Sequence, residues 1–224
     1  MISKNIDLAD YFNSISGDYN VNVFASFFVT NYIRRQLVNK IKSYEDKTVL
    51  DLMSGRGENI KHIKKYNNRT SITTVDFSKC MNQIAKENLK NRNVLQVEKN
   101  FFNSNLPLES YDIILCSFGI KTLKCNETII FSEKMSSLLK PNGEVLLLEM
   151  VKPKNVYFSK FLHWYLEKFL STFYGNKFKI LFPFIENHKD MNFLKKELTK
   201  SNFSIIEYKR VFDLFEIIHA RKTT

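Results

Sequence analysis

The stretch that decides the fold is KTVLDLMSGRGENI, residues 47–60. Its first six residues are apolar and β-branched enough to read as a strand (47–52), and a helical pattern follows over 57–65. Between them lie Gly55 and Gly57, one residue apart. Glycines on a strand-to-helix turn let the backbone come close to a nucleotide-like ligand.

The turn's other residues narrow the ligand. A dinucleotide fingerprint needs a third small residue so that the helix can pack closely, but the third position here is the bulky Ile60. Glu58 stands at the helix start, where it suits the helix dipole but repels a phosphate. No Gly-Lys-Ser/Thr follows, which excludes a Walker phosphate loop. A ligand with a cationic end and no phosphates is favoured, and S-adenosylmethionine has an ammonium, a sulfonium and a ribose diol. Asp76 stands 25 residues beyond Asp51 at the end of a second strand, where a carboxylate accepts ribose hydroxyls or caps a helix. Met53 and Arg56 complete the turn, and Arg56 is expected to point outward beside Glu58.

Outward from the turn, strand-like runs alternate with helical patterns. The second strand is SITTVD (71–76), followed by a helix in which Met81, Ile84, Ala85 and Leu89 fall at helical spacing. Further strands are NVLQVE (93–98), YDIILCSF (111–118) and GEVLLLEM (143–150). The helix between the last two is expected to stop at Pro141-Asn142-Gly143. Runs such as IILC and VLLL lack alternation, as in strands covered on both faces. A helix near 190–200 precedes FSIIEYKRV (203–211) and LFEIIHARK (214–222), read as an antiparallel pair. The expected fold is α/β: a seven-stranded, mostly parallel Rossmann-like sheet with helices on both faces and a C-terminal antiparallel strand pair. Residues 1–224 form a single domain in this reading, with a helical cap over 1–45 and an aromatic insertion over 152–185.

The 224 residues, 44% hydrophobic and 25% charged, suffice for a full core. Cys80, Cys116 and Cys125 lack metal or disulfide spacing, and His62, His163, His188 and His219 form no ligand motif, so no metal is expected. No apolar export signal opens the chain and no run of about 18 apolar residues occurs. The expectation is a cytoplasmic protein, with peripheral contact at the inner membrane face left open. The net charge of +11 fits either a lysine-rich surface or a functional basic face. No Asn/Asp-Pro-Pro-Tyr/Phe motif for a flipped base follows the fourth strand, which weighs against nucleic acid as partner. A homodimer is compatible with the sequence but not specified by it.

VLDLMSGRGEN, VDFSKCMNQIA, NLPLESYDIILCSFGI and SSLLKPNGEVLLLEMVKP resemble the ordered motifs of class I S-adenosylmethionine-dependent methyltransferases. Within them, SFGI, LLLEMVKP and the early YFNSISGDYN are similar to the ubiquinone/menaquinone biosynthesis C-methyltransferase (UbiE-like) family. The resemblance implies a small-molecule acceptor, aromatic or quinone-like and apolar in the prenylated case. It implies that Asp51, Gly55 and Gly57 form the cofactor turn and that Asp76, with Phe77 beside it, meets the ribose. It also implies that Met81 lies against adenine, that Asn100 and Phe101 meet its amino group, that Ser117 lies beside the methionine moiety, and that Tyr19 closes over the cofactor. Met81 as plain core and Asn100 as a turn residue remain alternatives.

The acceptor side departs from the family. Where the family carries Phe-Gly-Leu-Arg-Asn, this chain has Phe118-Gly119-Ile120-Lys121-Thr122, and lysine lacks arginine's planar fork. A Tyr-Arg-Tyr-Leu-Pro segment is matched by Phe178-Lys179-Ile180-Leu181-Phe182. Lys121 is the candidate charge beside the acceptor and His163 a candidate base, each with a plain surface role as alternative. The aromatic and lysine-rich 152–185 region caps an apolar pocket, packs on the sheet or rests on a membrane face. A nucleic-acid methyltransferase and a non-catalytic cofactor-binding scaffold are the competing functions.

Overall fold

The computed structural model describes residues 19–63, 66–165, 168 and 181–223. Seven strands form one sheet in the order β3-β2-β1-β4-β5-β7-β6. They are β1 (Thr48–Leu52), β2 (Ser71–Asp76), β3 (Val94–Glu98), β4 (Tyr111–Ser117), β5 (Leu139–Met150), β6 (Phe203–Val211) and β7 (Phe215–Lys222). The pairs β1/β2, β2/β3 and β4/β5 are parallel, while β7 runs antiparallel to both β5 and β6. The expected mostly parallel sheet with an antiparallel C-terminal pair is therefore present. The chain divides into two compact units, Met1–Asn105 and Leu106–Thr224.

In the first unit, α1 (Tyr19–Val38) precedes β1, α2 (Glu58–Lys61) follows it, and α3 (Lys79–Asn88) follows β2. Val49, Leu50 and Leu52 are fully buried, as are Ile33 and Leu37 of α1; each such side chain contributes about 1.5–3 kcal/mol over leaving it exposed. The helix α2 is shorter than the pattern over 57–65 implies. It ends at Lys61, with His62 as C-cap. Its last carbonyls are taken by another element: Arg92 Nη1 donates to the oxygens of Ile60 (2.6 Å) and Ile63 (3.1 Å). His62 is half-buried rather than on an open surface, and burial lowers its pKa below the usual histidine value.

The second unit holds β4 to β7 with α4 (Cys125–Leu138), α5 (Val156–Trp164), α6 (Leu181–Asn187), α7 (Asn192–Lys200) and a 3-10 turn over Ile120–Thr122. Val145 to Leu148 of β5 are fully buried, which explains the unbroken apolar run. Helix α4 stops at Leu138, three residues before Pro141, and β5 begins directly at Leu139. The Pro141-Asn142-Gly143 tripeptide lies inside that strand. It coincides with a register shift against β4, and Asn142 takes a left-handed φ of 62°. Proline lacks the ladder donor and so belongs at such an irregularity. No helix among the described residues is long and apolar enough to cross a membrane.

Candidate functional site

The cofactor turn belongs to the first unit. It leaves β1 through Met53, Gly55 and Gly57, all with positive φ (51°, 52° and 72°). A Cβ on Gly57 would come within 2.5 Å of Leu89 Cδ1, so a side chain there needs both a shift of Leu89 and a left-handed backbone. A Cβ on Gly55 would meet nothing within 4 Å. That glycine faces open space, as a backbone approached by a ligand does.

Two carboxylates flank the turn. Asp76, at the end of β2, accepts hydrogen bonds from the Gly55 N–H (2.8 Å) and the Ser78 N–H (2.8 Å). Ser78 in turn caps α3 by accepting from the Met81 N–H at 3.2 Å. Burial pushes the Asp76 pKa up, against the pull of its two backbone donors. Its two oxygens can each accept a second bond, which suits a pair of ribose hydroxyls.

Asp51 is fully buried near the end of β1. Its Oδ1 accepts from Asn59 Nδ2 at 2.7 Å, and Asn59 Oδ1 accepts from Arg34 Nη1 at 3.0 Å. Asp51 Oδ2 is buried with no hydrogen-bond partner. Burial first, then the nearby Asp76 charge, raise the Asp51 pKa to about 7, although the Asn59 bond and Arg34 pull the other way. An orphaned carboxylate oxygen beside a second acid calls for a cationic donor. The α-ammonium of S-adenosylmethionine is one, so the residues present fit this cofactor. Asp51 would hold the ammonium, Gly55 would give backbone access, and Asp76 would take the ribose.

The remaining predicted contacts divide. Met81 and Phe101 are buried and Phe77 is half-buried. Asn100 is exposed, and its Oδ1 accepts from the Phe102 N–H at 2.9 Å as the cap of a 3-10 turn, which leaves the oxygen a second lone pair. Tyr19 is the first residue of α1, and its side chain lies outside the described residues. Arg56 is half-buried, and Glu58 pairs with Lys61 at 3.0 Å. Sequence reading missed Asn59 and Arg34. An asparagine in the first turn after Gly-x-Gly was the available signal for the former.

In the second unit, Ser117 is buried at the end of β4, and Phe118 follows with a left-handed φ of 66°. Lys121 lies in the 3-10 turn and is committed to β5. Its Nζ donates to Glu149 Oε1 (2.9 Å) and to the Phe118 carbonyl (2.6 Å), while its backbone N–H donates to Glu149 Oε2 (2.9 Å). The Lys121 and Glu149 side chains are 7% and 0% exposed, which makes this a buried ion pair. His163 is exposed on α5. Tyr157, Phe161 and Trp164 of the same helix are also exposed, and Leu162 is its buried residue. Three of the four aromatic residues of α5 are therefore exposed, and Phe158 is half-buried. Phe169, Phe173, Tyr174 and the Phe178-Lys179-Ile180 match lie outside the described residues.

This fold, with a phosphate-free acidic turn after β1 and a carboxylate after β2, defines a class I methyltransferase that uses S-adenosylmethionine. The chain belongs to the ubiE/COQ5 methyltransferase family, which it matches over residues 1–220. It is 29% identical over 236 residues to the ubiquinone/menaquinone biosynthesis C-methyltransferase UbiE of Wigglesworthia glossinidia brevipalpis, covering 96% of this chain and 90% of that one. To the protein of the same name from Francisella tularensis subsp. tularensis it is 27% identical over 220 residues, covering 93% and 87%. Among solved structures, a SAM-dependent methyltransferase from Aquifex aeolicus shares the fold with a TM-score of 0.62 at 16% identity, covering 84% of this chain and 88% of that one. The pyocyanin biosynthetic protein PhzM shares it with a TM-score of 0.69 at 15% identity, covering 95% and 62%.

Proposed function

We propose that the protein methylates a ring carbon of a hydroxylated, quinone-type acceptor in its reduced form. The cofactor half of this reading rests on the orphaned, buried Asp51 Oδ2 beside Asp76. The acceptor half is supported by the activity for which the relatives are named. Nothing comparable favours nucleic acid or a non-catalytic scaffold.

The chemistry is an in-line displacement on a group that is already activated, so the protein's task is alignment and exclusion of water. A ring hydroxyl loses its proton, and its electron pair moves through the ring. The adjacent carbon then forms a bond to the methyl group as the sulfur–carbon bond breaks, its electron pair staying on sulfur. The proton on the newly methylated carbon leaves and the ring regains aromaticity. Lys121, which uses two of its three ammonium donors internally, supplies positive charge for the developing phenolate. The open aromatic residues of α5, interleaved with the exposed Lys154 and Lys160, lie against an anionic membrane surface from which a prenylated acceptor is drawn.

The test uses methyl-labelled S-adenosylmethionine and a demethylated naphthoquinone with a short prenyl chain, chemically reduced or left oxidised. Label on a ring carbon, with the reduced form only, is expected. Label in a methyl ether would contradict the reading.

A further inference from the structure

Asp76 and Asp51, the two acids of the cofactor turn, are held in different ways. Asp76 takes backbone donors, the N–H groups of Gly55 and Ser78, whose direction the chain itself fixes. Asp51 Oδ1 depends instead on a side-chain amide, Asn59 Nδ2 at 2.7 Å. An amide has a carbonyl end and an amino end of nearly the same shape, so either can face the acid unless a neighbour decides.

Arg34 is that neighbour. Its Nη1 donates to Asn59 Oδ1 at 3.0 Å, and a guanidinium carries donors but no acceptor. The carbonyl end of Asn59 must therefore face Arg34, and its amino end must face Asp51. The amino end can only donate, so Asp51 Oδ1 is always the accepting oxygen. A proton on this acid then sits on Oδ2, and its loss leaves Oδ2 as an acceptor with no partner in the protein. All three residues are buried, so water competes little for these bonds.

The arginine is firmly seated. Ile33, Leu37 and Val38 beside it on α1 are buried, and Tyr44 Oη donates to the Val38 carbonyl at 2.9 Å. Helix α1 packs against α2, which carries Asn59. The Arg34 charge also favours the ionised form of Asp51, against burial and against the nearby Asp76.

We propose, resting on the placement of the cofactor's ammonium at Asp51, that Arg34 is a positioning residue for S-adenosylmethionine: through the Asn59 amide it reserves Asp51 Oδ2 as the acceptor for that ammonium. Arg34 acts through Asn59 and Asp51 and needs no contact with the ligand. The arrangement sets a preference as well as an affinity. It favours a ligand that carries the ammonium over one with the same adenine and ribose but no amino-acid tail.

Calorimetric titrations at about pH 7.5, where a histidine is neutral and an α-amino group largely charged, compare S-adenosylmethionine with methylthioadenosine, which lacks the tail. Arg34→Met is expected to weaken S-adenosylmethionine binding by about tenfold or more and to leave methylthioadenosine within about threefold of wild type. Arg34→Lys, whose ammonium also only donates, recovers part of the loss. In an Asp51→Asn background, Arg34→Met has no further effect on the preference. Equal weakening of both ligands marks a structural arginine and overturns the proposal. An unchanged preference overturns it too, as does an Arg34→Met effect that persists in the Asp51→Asn background. Should Arg34→Met fail to fold, Arg34→Gln decides, because its amide can offer either end to Asn59. A preference reduced at least about threefold is then expected, and an unreduced one overturns the proposal. If wild type binds the two ligands equally, the ammonium is not held at Asp51 and the proposal falls with that placement. No acceptor enters these titrations, so failure here leaves the acceptor reading standing.

Discussion

Asn59 Nδ2 donates to Asp51 Oδ1 at 2.7 Å, so a residue at the start of α2 aims the acid at the end of β1. The bond fixes one carboxylate oxygen and leaves the other, buried and unpaired, for a ligand. Because Asn59 also accepts from Arg34, the same side chain couples α1 to the turn. Replacement of Asn59 by leucine, similar in size and unable to bridge, leaves polar groups buried on both sides. A loss of about 2–3 kcal/mol in urea unfolding is expected, together with weaker cofactor binding.

Met53 sits at φ 51°, a left-handed conformation that disfavours side chains, and a β-branched one most of all. Met53→Gly relieves the strain and is expected to hold or raise Tm by up to about 2–4 °C, the shift that about 1 kcal/mol produces at this chain length. Met53→Ile lowers Tm. Thermal scans of the two variants show opposite signs if the strain is real.

Lys121→Met removes one partner of a buried ion pair and leaves Glu149, fully buried, without its counter-charge. Destabilisation of about 3–5 kcal/mol is expected, and Lys121→Met/Glu149→Gln recovers part of it. Neither protein is expected to regain full methyl transfer, since the charge proposed to face the acceptor is gone in both.

Trp164 is the only tryptophan in the chain and is 52% exposed on α5. Its fluorescence is therefore a direct report on that helix. A blue shift is expected on adding phosphatidylglycerol vesicles and not with phosphatidylcholine, and salt reverses it. Tyr157→Ser/Phe161→Ser abolishes the shift without altering cofactor binding.

Much of this was legible in the sequence, for identifiable reasons. Strands such as SITTVD and FSIIEYKRV have ends that coincide with those observed, because turn residues bracket them. The Gly55/Gly57 pair and Asp76 announce the cofactor turn because glycine conformations and strand-end acids are local properties. The helix after the turn is shorter than the pattern over 57–65 implies: Arg92, 32 residues away from Ile60, bonds a carbonyl at its end, and no local pattern encodes that contact. Lys121 drew attention by its charge, yet its commitment to Glu149 on another element is a tertiary fact.

The central claim is that Asp51 holds the cofactor's ammonium through its free oxygen, and calorimetric titration with S-adenosylmethionine tests it most directly. Burial raises the Asp51 pKa to about 7, so below that value the acid is neutral and must lose its proton to pair with a cation. Affinity is therefore expected to rise by up to about tenfold per pH unit from pH 5.5 to 7, and to level off before the ligand's amino group begins to lose its proton near 7.7. Proton release on binding is expected over the same range. Asp51→Asn flattens the profile and weakens binding by about 10–100-fold at pH 7.5. Affinity independent of pH in the wild type, with Asp51→Asn binding equally well, would contradict the assignment.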